Sequence, residues 1–126
     1  MPGWFRYFSM LLVASWAGVI FILSSQPGID IPPPFPHMDK LLHAIAFGVL
    51  GFLLLGAFRP GARGYSRIQL MIAIAIAGTY GILDEINQRY VPGRMPDVLD
   101  VMADLVGAVL GVWLMHVIVR RRHHPT

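Results

Sequence analysis

Cysteine is absent from this 126-residue chain, which excludes a disulfide framework and any thiolate metal centre. Charge is scarce as well. Only 13% of residues are charged against 56% hydrophobic, and the mean hydropathy is +0.61, so a soluble globule is the wrong class. No A-x-A cleavage pattern follows the first apolar run, so that run is expected to be an uncleaved span and not a signal peptide. A net charge of +3 carries no nucleic-acid signature, because the basic residues sit at the ends of apolar runs, where membrane-topology signals lie.

What remains is four apolar runs of near-spanning length, at about residues 5–25, 39–58, 68–88 and 97–119. The expected fold is all-α, a polytopic transmembrane four-helix bundle forming one domain over residues 1–126. Trp4 and Tyr7 are placed to anchor the first span at an interface. Ala14 and Gly18 form a small-xxx-small pair that would admit a close helix neighbour. Four prolines between Ile29 and His37 predict a stiff connection, and Arg59-Pro60-Gly61 ends the second span. The short connector Arg89–Pro96 makes the third and fourth spans antiparallel neighbours.

The stretch Tyr80–Gly111 holds Asp84, Glu85, Asp97, Asp100 and Asp104, five of the seven acids, between two of those runs. An ionisable residue costs about 2.5 kcal/mol or more at a span centre and is a functional candidate there. Helical spacing sorts these groups onto faces. Asp39 and His43 share one stripe of the second span, and Asp84 and Gln88 share one face of the third. Asp97, Asp100 and Asp104 line the same face of the fourth span as Gly107 and Gly111, which turns that face into the bundle.

Counting charges orients the chain. Arg6, Arg59, Arg63, Arg67, Arg120, Arg121 and Arg122 fall on the side shared by both ends and the middle turn. Lys40, Arg89 and Arg94 fall on the other side with all the acids, so both termini are expected in the cytoplasm.

Three readings of the polar set stay open. Asp39, Lys40, His43, Asp84, Glu85, Gln88, Arg94, Asp100 and Asp104 would form a binding site at the outer leaflet. In it Lys40 and Arg94 would meet an anionic envelope molecule or lipid headgroup. A membrane-embedded hydrolase or transferase would instead use His43, Glu85 and Asp100 as acid and base, or with Asp104 as ligands of a divalent metal. A structural lock would pair Arg94 with Asp100 or Glu85, with Asp97 capping the fourth helix.

The residues Ser24-Ser25-Gln26-Pro27, Asp39-Lys40-x-x-His43-x-x-x-Phe47, Tyr80-Gly81-x-x-Asp84-Glu85-x-x-Gln88-x-x-x-Pro92-Gly93-Arg94 and Asp100-x-x-x-Asp104-x-x-Gly107-x-x-x-Gly111 follow one another in order. In that order and spacing the chain resembles the VanZ-like family of small bacterial membrane proteins over nearly its whole length. The resemblance implies a cell-envelope role and a link to resistance against the glycopeptide teicoplanin, without implying a reaction. It also implies an asparagine where this chain carries Asp104.

Overall fold

The computed structural model describes residues 2–27 and 34–123. Gly28, Asp30, Pro32, Pro33 and His124 lie outside them, and with them most of the expected proline-rich connection. Four helices follow one another: α1 (Gly3–Ser24), α2 (Met38–Gly56), α3 (Arg67–Gln88) and α4 (Val98–His123). Each is long and apolar enough to cross a membrane. At about 1.5 Å per residue even the 19 residues of α2 reach close to the thickness of a hydrocarbon core. Large apolar side chains such as Leu11, Leu41, Met71 and Trp113 are exposed on all four helices, as lipid-facing surfaces require.

The boundaries match the hydropathy reading except at the end of α4, which runs four residues beyond Val119, through the arginine run. Arginine is a good helix former and continues the apolar segment without a breaker. The turn between α2 and α3 is tied down locally. Gly61 and Gly64 exchange backbone hydrogen bonds of 2.9 and 3.1 Å, with Gly64 at φ 97°. Ser66 and Gln69 form a reciprocal capping box at the start of α3, and Gln69 Nε2 donates to the Arg59 carbonyl at 2.8 Å.

The helices alternate in direction. Arg6, early in α1, lies beside Ala57 at the end of α2, while Ser24 at the end of α1 meets Asp84 near the end of α3. Lys40 at the start of α2 meets Asp97 and Asp100 at the start of α4, so α2 and α4 run parallel. The molecule thus has an arginine end and an acidic end.

α2 is the centre of the bundle, touching all three other helices, and its tightest partner is α4 rather than the sequence neighbour α3. Small residues explain this. A Cβ at Gly107 would fall on the carbonyl of Ala44, one at Gly111 on the carbonyl of Gly48, and one at Gly51 would lie 2.6 Å from the carbonyl oxygen of Ala108. Backbones this close gain van der Waals contact that larger side chains would prevent. Phe47, Leu50, Leu55, Ala108 and Val112 fill the core around this seam, with Ala73 and Ala77 admitting α3.

α1 is held more loosely, packing mainly on α2 and less on α3. Its bundle face is Ser9, Val13, Trp16, Ala17 and Ile20, so the expected close approach at Ala14 and Gly18 is not made. Both are exposed, and nothing lies within 4 Å of a Cβ built at Gly18.

Candidate functional site

At the acidic end the first turn of α2 presents Lys40 to three carboxylates. Its Nζ donates to Asp39 Oδ2 at 2.6 Å, Asp100 Oδ1 at 2.7 Å and Asp97 Oδ2 at 2.9 Å. An ammonium has three protons to donate, and all three are used. The Lys40 expected to meet an anion therefore clamps α2 to α4 instead. Asp97 also caps α4, accepting from the Leu99 amide at 2.9 Å, and the ammonium beside it holds its carboxyl below the ordinary range.

One turn deeper, His43 Nδ1 lies 2.7 Å from Asp104 Oδ1, and its Nε2 lies 3.8 Å from Asp100 Oδ2, too far for a hydrogen bond. With Asp104 ionised, the proton of this contact sits on Nδ1. Gly81 of α3 makes room for this pair, since a Cβ there would lie 3.0 Å from Asp104 Oδ2. That oxygen and Glu85 Oε2 are buried with no hydrogen-bond partner among the described residues. The other Glu85 oxygen accepts from the Asp97 amide, so α3 also helps to cap α4.

The third group joins α1 to the rest. Ser24 Oγ donates to Asp84 Oδ2 at 2.9 Å, and Asn87 Nδ2 donates to Ser25 Oγ at 3.0 Å. Arg94 pairs with neither Asp100 nor Glu85. Its Nε donates to the Gln26 carbonyl at 2.9 Å and its Nη2 to the Leu23 carbonyl at 3.1 Å. The connector before α4 thus lays a guanidinium on the C-terminal end of α1, where the Leu23 carbonyl also accepts from the Gln26 amide at 3.3 Å.

Between α1 and α2 these groups border a cavity of about 380 Å³, within the size range of small-molecule sites. Asp39, His43, Ser24, Asp84, Gln88 and Arg94 form its polar end. Trp16, Ile20, Leu42, Ala46 and Phe47 contribute apolar walls, and the rim residues Val19, Leu23 and Ile45 are exposed on the lipid-facing surface. Of the nine residues singled out by sequence, five line this cavity. Lys40, Glu85, Asp100 and Asp104 instead form the network behind it. Ser24 and the apolar wall of α1 went unrecognised as site residues, although Trp16, Ile20 and Ser24 fall at i, i+4 and i+8 on one helix face.

Among the described residues, no three histidine or carboxylate side chains converge as the ligands of a metal would. The place between Asp97 and Asp100 where a cation would sit is filled by the Lys40 ammonium. What the arrangement does offer is a headgroup-sized polar niche, an oriented imidazole and an apolar cleft open to lipid.

Neither the curated proteins nor the solved structures contain a match to this chain. A family model does match it, over residues 4–119, and so spans all four helices and every residue of the polar network. The chain belongs to the VanZ/LLP1 family.

Proposed function

We propose that this multi-pass protein resides in the bacterial inner membrane with both termini in the cytoplasm, and binds an amphipathic envelope molecule at the outer leaflet. The hydrophobic part lies in the cleft between α1 and α2, and the headgroup lies against His43, Asp84, Gln88 and Arg94. The cavity carries this reading, because its apolar walls, polar end and exposed rim fit a lipid or lipid-linked molecule entering sideways. Seven arginines at one end against three basic residues at the other, Lys40, Arg89 and Arg94, support the orientation. The link to glycopeptide resistance for which the family is named belongs on this same face.

A phospholipid bearing a diazirine at the tip of its acyl chain tests the reading. In nanodiscs, photolysis is expected to label the segments around Ile20 and Ala46 at least fivefold more than the exposed Met71 and Trp113. Ala46→Trp, which fills the cavity, is expected to bring the cleft down to that background. Equal labelling of cleft and outer surface, unchanged by Ala46→Trp, would remove the binding site.

A second reading is favoured by one observation, the 2.7 Å contact of His43 Nδ1 with Asp104, which belongs to the network behind the cavity. A carboxylate behind an imidazole fixes its tautomer and leaves the other nitrogen as a general base, the logic of hydrolytic sites. On that reading the bound molecule is turned over as a lipid-linked substrate. His43→Gln would then stop its conversion while leaving the photolabelling of the cleft intact.

A further inference from the structure

The arginine end holds a second cavity, remote from the polar network. It measures about 430 Å³ and is bordered by Arg6 and Tyr7 of α1 and by Arg59, Pro60 and Ala62 of the α2–α3 turn. Its floor is fixed, because the paired Gly61–Gly64 turn and the Gln69 bond to the Arg59 carbonyl hold that backbone in place.

Neither guanidinium has a counter-ion among the described residues. Every ion pair among the described residues involves Lys40 or His43 at the opposite end. Among the described residues no carboxylate pairs with Arg6, Arg59, Arg63, Arg67, Arg120, Arg121 or Arg122. Arg6 Nε reaches only the Ala57 carbonyl, at 3.4 Å. Two planar, permanently charged forks facing one cavity suit the oxygens of a phosphate, which each can bind through two parallel hydrogen bonds.

Beside the cavity the surface turns apolar. Tyr7 is 74% exposed and Trp4 65%, and Phe8 and Leu11 continue the exposed strip along α1. A free phosphate has no use for such a wall, whereas acyl chains do, and basic niches between spans are where anionic headgroups lodge.

We infer that this cavity is a binding site for an anionic phospholipid, its phosphate held between Arg6 and Arg59 and its chains laid along the outer face of α1. The site stands apart from the α1–α2 cleft, so it does not depend on the function proposed for that cleft.

The test is native mass spectrometry of the intact protein released from detergent, with thermal unfolding measured in parallel. Phosphatidylglycerol is expected to stay bound and to raise the unfolding temperature by several degrees, and phosphatidylcholine to do neither. Arg6→Gln combined with Arg59→Gln is expected to lower retention at least fivefold, while Arg121→Gln combined with Arg122→Gln leaves it unchanged. Ala62→Trp fills the cavity without altering charge and should lower retention as much as the first pair. Retention that survives both the arginine pair and Ala62→Trp would overturn the proposal. So would an equal loss in the C-terminal pair, which would mean diffuse charge attraction. An equal thermal gain from inorganic phosphate alone would overturn it too, by making the site one for the free anion.

Discussion

Gly111→Ala is expected to destabilise the bundle by about 3 kcal/mol, the upper part of the range for overpacking a well-filled core. The new methyl group would sit on the Gly48 carbonyl, and the Phe52 amide nitrogen lies 3.0 Å from the same position. Side chains can change rotamer to admit a methyl, but here the obstacles are backbone atoms of a helix. α2 and α4 would have to separate, and the contacts of Phe47, Leu50 and Val112 along the seam would loosen with them. Gly18→Ala provides the contrast. With nothing within 4 Å it should be neutral or slightly stabilising, as alanine is the better helix former. Reversible denaturation in mixed micelles measures both. Equal stability of Gly111→Ala and the parent would mean that α2 and α4 do not approach in this way.

The second large effect is at Lys40. Its side chain is 21% exposed and that of Asp100 only 8%, so removing the ammonium strands a carboxylate with little access to water. Breaking a buried pair by deleting one partner typically costs 3–5 kcal/mol, and the partial exposure of Lys40 puts Lys40→Met at about 3 kcal/mol near pH 7. Asp39 and Asp97 are far more open and can turn to water. Asp97 gives the sign of the pH dependence. The ammonium lowers its folded-state pKa, so this stabilisation is full above the ordinary carboxylate pKa and is lost as pH falls from there through the lowered folded-state value. The gap between Lys40→Met and the parent should therefore narrow on acidification, and adding Asp100→Asn at neutral pH should recover part of it. A gap that is small at pH 7, or that widens in acid, would contradict the clamp.

Much of the fold was legible because a bilayer makes hydropathy decisive. Spans, helix directions and the inward face of Asp100, Asp104, Gly107 and Gly111 follow from run length and helical period alone, whereas Asp97 caps the helix and stays open to water. The α3–α4 neighbourhood followed from their short connector, but the tighter α2–α4 seam did not. Ala14-x-x-x-Gly18 and Gly107-x-x-x-Gly111 are the same pattern, yet the first lies exposed and the second seats the α2 backbone, because a pattern does not say which face has a partner.

The polar site divided along the same line. Sequence spacing assembled the acidic groups at one end and put His43 beside them. It offered Lys40 to a ligand and Arg94 to Asp100 or Glu85. The contacts depend instead on the axial register of α2 against α4 and on where the Arg89–Pro96 connector folds back. That register gives Lys40 two of its three carboxylates, Asp97 and Asp100, and the connector gives Arg94 the Leu23 and Gln26 carbonyls at the end of α1. The cleft was invisible for a related reason, since half its wall comes from an apolar helix that carries no charged residue near it.

The envelope-side function rests on which way the acidic end points, and the absence of native cysteine makes that directly measurable. Tyr90→Cys sits in the exposed connector before α4, and Arg63→Cys in the exposed turn before α3. In intact spheroplasts a membrane-impermeant maleimide is expected to label position 90 fully and position 63 only after permeabilisation. Labelling of position 63 with protection of position 90 would turn the cleft and its polar groups toward the cytoplasm and contradict the account.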